Sequence, residues 1–372
     1  MVFWSSSRTN LQVDGLRAAE KQLMKLAGLD SSTFRIFDTG IPRFRVPLTK
    51  HSDKIYMSYP DEYIMHGIEV TNRSECTPRH SSPLVLLHGY YNGGAYFYRN
   101  FQGLTKYFPK IFALDLLGWG LSSRPAFTAS TTEQAEDFFV ESLEAWREEH
   151  KIERMILAGH SMGGYLGVAY CERYPERVDR LILLSPVGVP DEDAQVIAQR
   201  QASLQSSWRG RALWGFYSTL FGRQYSMGDV LRRLPSGRSR AFLQNYVENR
   251  LPAIEDPNEQ QALTDYLYHN ATLPGSGEYA LHRILTPHIF AQRPLVHRIP
   301  RLKVNHISFL YGEHDWMDPG GGVDTKAAAA PHQTVQLYKV SHAGHLLMLE
   351  NPEGFNRALT LAAESHRDYG VK

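Results

Sequence analysis

The chain is poor in cysteine: Cys76 and Cys171 are the only two in 372 residues. They lie too far apart to form a disulfide framework, so a reducing compartment is the simplest setting. No apolar run reaches 18 residues, and no transmembrane helix is expected. The N-terminus lacks a basic stretch followed by an apolar one, so no signal peptide is expected. Without secretion, Asn72-Arg-Ser74 and Asn270-Ala-Thr272 read as chance matches to the glycosylation pattern. Neither sign of charge dominates: the formal net charge is +1, which gives no reason to invoke nucleic acid. There is no His-Glu-x-x-His and no paired cysteine ligand set, so no zinc or other metal is expected. Internal repeats and low-complexity tracts are absent as well.

What is present is ordinary globular composition, 42% hydrophobic and 21% charged. The length suits one core domain carrying an insertion. Residues 1–50 are predicted as an N-terminal extension, irregular apart from one helix between about Leu11 and Gly28. Leu16, Ala19, Leu23, Leu26 and Ala27 recur there at helical spacing. This helix either packs on the main domain or, with Phe3 and Trp4 as aromatic anchors, lies in a membrane interface.

Residues 51–190 are predicted as the first part of the core. Tyr56 to Val70 alternates weakly and predicts two antiparallel edge strands. Four continuous apolar runs follow: Pro83–Gly89, Ile111–Gly118, Met155–Ala158 and Leu181–Ser185. Strands apolar on both faces belong inside a sheet covered by helices. Helical stretches lie between them, at about Tyr98–Phe108, Thr132–Glu149 and Tyr165–Tyr174. Ile307–Gly312 and Thr334–Val340 complete the set in residues 301–372, the second part of the core. Strands alternating with helices predict an α/β fold with a mostly parallel sheet. Residues 191–300 break the alternation. They are rich in aromatics and arginine and are predicted as a helical cap over the C-terminal edge of the sheet, where ligands bind in open α/β sheets.

The chemistry is concentrated in Gly159-His160-Ser161-Met162-Gly163, a G-x-S-x-G pattern between a buried strand and a helix. A tight elbow there holds the Ser161 hydroxyl above the sheet, at a helix N-terminus. Gly159 and Gly163 are required because a side chain two residues either side would clash. A nucleophile of this kind needs an acid and a base further along the chain. Tyr311-Gly-Glu-His-Asp315 ends the next core strand, and Asp315 is the expected acid, with Glu313 and Asp318 as rivals. Val340-Ser-His-Ala-Gly-His345 follows the last strand, and His345 is preferred to His342 as the base. His88-Gly89 leads into a turn, and the N–H groups of Tyr90 and Met162 are the expected oxyanion donors. His88 itself reads as a turn residue.

These stretches resemble the α/β-hydrolase fold superfamily over most of the chain. Within it the sequence is similar to the abhydrolase-domain 4/5 group of lipid enzymes. The more specific likenesses are Asp115-Leu-Leu-Gly-Trp-Gly120 with Ser122-Ser-Arg-Pro125, and Tyr266-Leu-Tyr-His269 in the cap. The resemblance implies hydrolysis of acyl esters in phospholipids, lysophospholipids or acylglycerols, with no cofactor. It also implies transfer of an acyl group from acyl-CoA, as co-substrate, to lysophosphatidic acid. A His-x4-Asp motif is associated with that second activity; here the spacing reads His345-Leu-Leu-Met-Leu-Glu350, with Glu in place of Asp. The implied partners are a lipid substrate and, reversibly, a membrane or lipid-droplet surface reached from the cytoplasm. The alternatives are a soluble-substrate esterase or peptidase, and a non-enzymatic scaffold on lipid droplets. Hydrolases with an Asp nucleophile are excluded by Ser161.

Overall fold

The computed structural model describes residues 6–46, 49–50, 58–59, 61–71 and 81–364. Phe3, Trp4, Asn72-Arg-Ser74 and Cys76 lie outside the described residues. In chain order the main elements begin with α1 (Ser6–Leu26), β1 (Phe34–Pro42), β2 (Glu62–Thr71), β3 (Leu84–Leu87) and β4 (Lys110–Leu114). Next come α2 (Thr132–Glu149), β5 (Met155–His160), α3 (Met162–Arg173) and β6 (Val178–Leu184). The chain then runs through α4 (Ala194–Gln205), α5 (Trp208–Gly222), α6 (Met227–Arg233), α7 (Ser236–Arg250) and α8 (Pro257–Thr272). It closes with β7 (His306–Gly312), α9 (Gly320–Ala327), β8 (Thr334–Val340) and α10 (Pro352–Glu364).

The strands form one sheet in the order β1-β2-β4-β3-β5-β6-β7-β8, with the short strand Ser58–Tyr59 pairing beside β2. The β1/β2, β2/β4 and Ser58–Tyr59/β2 pairings are antiparallel and the rest are parallel. The apolar runs read from the sequence are the central parallel strands: every residue of β3 and β5 is buried. Two apolar layers cover the sheet, one around Phe97, Phe108 and Leu359, the other around Trp146, Tyr165 and Phe309. Helix α2 begins where Thr131 accepts the N–H of Gln134 at 3.2 Å, which satisfies one of the donors a helix start leaves over. Among the described residues, no helix is long and apolar enough to cross a membrane.

The structure corrects three expectations. The N-terminal stretch is not irregular beyond its helix, because β1 runs for nine residues at the edge of the sheet. Its polar residues hid it; they serve cross-strand ion pairs, Arg35 to Glu69 and Asp38 to His66. Second, Tyr56 to Val70 does hold two antiparallel strands, Ser58–Tyr59 and β2, but β2 is not an edge strand. The long β2 lies inside the sheet, between β1 and β4, and its polar residues are buried in compensated positions. His66 sits between Glu20 (3.0 Å) and Asp38 (2.6 Å). Burial disfavours its charge, but the carboxylates outweigh burial and its pKa is pushed up to about 10.

Third, Tyr98–Phe108 is helical only over Phe101–Leu104, after a 3-10 turn at Gly94–Phe97. Tyr98, Phe101, Leu104 and Phe108 are buried while Gln102 and Lys106 are exposed, so the helix-like spacing is met by one helical turn flanked by other turns. Of the two readings of α1 the structure bears out packing, and its apolar face is not available to a membrane. Leu16, Leu23 and Met24 are buried, and the Gln12 side chain bonds His269 of α8 at 2.6 Å. A Cβ on Gly15 would lie 2.2 Å from the His269 ring, so the two helices are in close contact. The helix has the packing role. Asn270 is also buried, with its amide bonded to the Tyr91 and Asn92 carbonyls, so it is no glycan acceptor.

Between β6 and β7 the described chain is helical apart from one isolated bridge, Leu285 to Ala291. Within this region α5 is unusual: it is rich in Trp, Phe, Tyr and Leu, yet none of its residues is buried.

Candidate active site

Strand β5 ends at His160 and α3 begins at Met162, so Ser161 alone makes the turn. Its φ of 52° and ψ of −114° are strained for a residue with a side chain. Close packing holds it there. A Cβ on Gly159 would lie 2.3 Å from the Gly163 carbonyl oxygen, and one on Gly163 would lie 2.6 Å from the His88 and Leu87 oxygens. Nothing larger than hydrogen fits either position. The Ser161 N–H donates to the Leu184 carbonyl at 2.9 Å, which ties the elbow to β6.

The turn after β3 lies against this elbow. A Cβ on Gly89 would stand 3.2 Å from the Ser161 Cβ. His88 shapes the turn: one ring nitrogen bonds the Gly89 carbonyl at 2.7 Å, and the other accepts the Leu116 N–H at 3.0 Å. Burial pushes its pKa down to about 4, so it is a neutral scaffold residue. The Tyr90 N–H has no hydrogen bond among the described residues, and the Met162 N–H, first in its helix, has no acceptor within it. Both residues line the cavity beside Ser161.

Asp315 follows β7 and His345 follows β8, and parallel pairing of those strands brings their ends together. His345 Nδ1 bonds Asp315 Oδ1 at 3.1 Å, and that oxygen also accepts the Met317 N–H at 3.0 Å. The Asp315 carboxylate is 1% exposed. Burial works to raise its pKa, but the bond from His345 and the imidazole's charge hold it below the usual carboxylate range. The rivals are elsewhere. Glu313 is exposed, accepts the His342 N–H at 3.1 Å and pairs with Lys339. Asp318 accepts the Gly320 N–H at 2.9 Å on the surface, and His342 is exposed.

Two contributors escaped the sequence reading. His160 bonds the His345 carbonyl at 2.9 Å through Nε2. Burial pushes its pKa down to about 3, so the ring is neutral and Nε2 carries the proton. The residue before the elbow thereby holds the loop of His345; its place inside the motif was the available signal. The second is the cap's grip on the turn that holds Tyr90. Tyr91 takes a φ of 60°, and its hydroxyl accepts the N–H of Gly228 in α6. Asn270 of α8 donates to the Tyr91 and Asn92 carbonyls. Nothing in local sequence spacing announces these contacts.

Ser161, His345, Tyr90 and Met162 open into a cavity of about 450 Å³ whose remaining wall is mainly apolar, including Leu231, Leu243 and Leu267 from the cap. A second apolar hollow of about 420 Å³ shares Tyr217, Ile289 and Trp316 with it and extends under α5. A larger, polar hollow of about 760 Å³ lies at the other end of the strands, around Arg154, Asp179 and Lys303; it contains none of these residues. Among the described residues, one group of acids and histidine is close enough to hold an ion: Glu20, His66 and Asp115. It lies outside the cavity, and His66 already gives both ring nitrogens to carboxylates. Glu350, the other residue singled out by spacing, does not line the cavity.

The family model for the alpha/beta hydrolase fold matches residues 82–352. A 1-acylglycerol-3-phosphate O-acyltransferase of Arabidopsis thaliana is 34% identical over 286 residues, 75% of this chain and 66% of that one, so the match spans just under two thirds of the plant protein. The 1-acylglycerol-3-phosphate O-acyltransferase ABHD5 of Homo sapiens is 33% identical over 83% of this chain and 87% of its own. A (lyso)-N-acylphosphatidylethanolamine lipase of Bos taurus is 30% identical over 83% of this chain and 86% of its own. Among solved structures, carboxylesterase CesB from Bacillus subtilis superposes with a TM-score of 0.57 at 19% identity, covering 95% of this chain and 99% of that one. A strained serine at a strand–helix elbow, a carboxylate–imidazole pair and matches of this extent agree: the chain belongs to the alpha/beta hydrolase fold family, in its abhydrolase-domain group.

Proposed function

We propose that the protein is a serine hydrolase that cleaves acyl esters of lipids through an acyl-enzyme. The observation that carries this reading is His345, bonded to the buried Asp315 carboxylate, lining the same apolar cavity as the strained Ser161. Asp315 fixes the proton on Nδ1, so Nε2 is free to take the Ser161 proton as Oγ attacks the ester carbonyl. The N–H groups of Tyr90 and Met162 stabilise the oxyanion. His345 returns the proton to the leaving alkoxide, and water, deprotonated by the same imidazole, releases the fatty acid. No metal or organic cofactor enters this scheme.

The names of the plant and animal relatives favour a second reading. If acyl-CoA acylates Ser161, the thiol leaves with the proton from His345. A lysophosphatidic acid hydroxyl then takes the place of water, which makes the protein an acyltransferase. The cavity's apolar wall suits the acyl chain in both readings and disfavours a small polar substrate.

The partner surface we propose is a lipid membrane or droplet, bound reversibly from the cytoplasm through α5. Trp208, Leu213 and Phe216 are 69%, 66% and 49% exposed on this helix, beside the second hollow. Residues 194–228 include Arg200, Arg209, Arg211 and Arg223 but no Asp or Glu. An apolar helix flanked by cations suits an anionic interface.

A fluorophosphonate probe tests the first claim. Ser161 labels in the wild type and not in Ser161→Ala; no labelling of the wild type leaves a scaffold without hydrolase chemistry. Co-sedimentation with phosphatidylserine-containing liposomes tests the surface. Trp208→Ser with Phe216→Ser is expected to weaken it while a short soluble ester is still hydrolysed. Unchanged sedimentation removes α5 from the interface.

A further inference from the structure

We infer that Glu350 is a positioning residue, a clamp on the loop that carries His345, and not a group that selects the acyl acceptor. Its Oε2 accepts the Gly344 N–H at 2.7 Å and its Oε1 accepts the Leu346 N–H at 3.0 Å. One carboxylate therefore grips the backbone on both sides of His345. The carboxylate lies flat on Gly344: a Cβ there would stand 3.2 and 3.3 Å from its two oxygens. This role rests on the reading of His345 as general base.

The neighbours show how much of that loop is held. The Asn351 amide donates to the Ser341 carbonyl at 2.8 Å, and Glu313 accepts the His342 N–H. The His314 N–H donates to the Ala343 carbonyl at 2.8 Å, and His160 bonds the His345 carbonyl. Every residue from Ser341 to Leu346 thus has a backbone group tied from outside the loop, and Glu350 alone supplies two of the ties. A base must sit within a few tenths of an ångström of the proton it takes, and a misplacement of 1 Å costs on the order of 100-fold in rate.

The same geometry argues against a direct role in acyl transfer. Both oxygens of Glu350 already accept backbone N–H groups. His345 and Leu346 line the cavity, whereas Glu350 does not. A lysolipid hydroxyl in the cavity meets His345 and does not meet Glu350. The His-x4-acid spacing then records how far a carboxylate must lie to reach back along one short helical turn, Leu347–Glu350, to the N–H groups flanking the histidine.

The test uses Glu350→Gln and Glu350→Ala in the full chain, beside Ser161→Ala and His345→Ala. The readouts are kcat and KM on a short-chain p-nitrophenyl ester, the rate of fluorophosphonate labelling, the melting temperature, and phosphatidic acid formed from labelled acyl-CoA and lysophosphatidic acid. Glu350→Ala is expected to lower kcat and the labelling rate by a common factor, on the order of 100-fold, with KM unchanged. Glu350→Gln keeps one acceptor and turns a donor towards the other N–H, for an expected loss of about tenfold. The ratio of transfer to hydrolysis is expected to stay constant in both. Loss of transfer alone, with hydrolysis and labelling at wild-type rate, overturns the inference and puts Glu350 on the acceptor. A lowered melting temperature with wild-type labelling overturns it too, since the bonds then serve stability only. Wild-type labelling in His345→Ala is a separate failure, of the base assignment itself.

Discussion

Replacing Asp315 by Asn removes a charge and, in this structure, little else. In many such sites an amide rotates to present its NH2 group, forces the wrong imidazole tautomer and costs about 10⁴ in kcat. Here Oδ1 accepts two donors at once, His345 Nδ1–H at 3.1 Å and the Met317 N–H at 3.0 Å. The backbone N–H cannot turn away, so the amide oxygen is held at the Oδ1 position and the tautomer survives. What disappears is the attraction between the carboxylate and the imidazolium formed in the transition state. For unit charges about 4 Å apart at an effective dielectric near 20, that is at most about 4 kcal/mol, or about 10³ in kcat. Asp315→Ala also loses the orientation and is expected to fall about tenfold further. Steady-state kinetics on a short-chain ester, with active sites titrated by the fluorophosphonate, measures both. Equal loss in Asn and Ala would mean that the tautomer flips and that the Met317 contact does not steer the amide. A loss under tenfold in Asn would mean that the carboxylate's charge does no catalytic work.

Ser161→Ala and His345→Ala are each expected to abolish ester hydrolysis, with the double variant no worse, because the pair acts as a unit; kcat within tenfold of wild type in His345→Ala would move the base elsewhere. Gly159→Ala puts a Cβ 2.3 Å from the Gly163 oxygen and is expected to destabilise by roughly 1–3 kcal/mol and to lower kcat by displacing Ser161, read by thermal melting and kinetics. Retention of both properties would refute the packing account of the elbow. His66, with its pKa raised to about 10 by Glu20 and Asp38 against the cost of burial, contributes stability that is complete below its unfolded value near 6.5 and is lost as pH rises through 10. Denaturant unfolding at neutral and alkaline pH is expected to show that loss in the wild type and a flatter profile in His66→Gln.

The central parallel strands were legible because burial on both faces leaves continuous apolar runs such as Leu84–Leu87 and Met155–Ala158. Ser161, with its flanking glycines, was legible for a steric reason, and the loops after the next strands gave Asp315 and His345. The edge strand β1 was not, because it carries Arg35 and Asp38, on opposite faces, for partners far away in sequence. Strand β2 was misplaced for the related reason that His66 and Glu69 look like surface residues until their counter-charges are known. The roles of His160, Tyr91 and Glu350 depend on contacts to backbone atoms, which side-chain patterns do not record. The N-terminal helix was recognised as a helix, but its two faces had to be seen against α8 before its role was plain.

The insertion between β6 and β7 has a consequence for how such a protein changes over time. Those strands are parallel neighbours, paired from Leu181 with Ile307 to Leu184 with Leu310. The chain must leave one end of the sheet and return to the other, so some crossover is obligatory there. The cap is that crossover grown large. Lengthening or reshaping it alters the cavity wall without shifting a single strand pair beneath the elbow. On the proposed function, substrate preference and bond-breaking chemistry are therefore encoded in separable stretches of the gene, and the first can drift while the second stays fixed. The bonds from Gly228 and Asn270 to the Tyr91 turn set the limit on that freedom: a redesigned cap must keep them, or replace them, to keep the turn that carries Tyr90 in place.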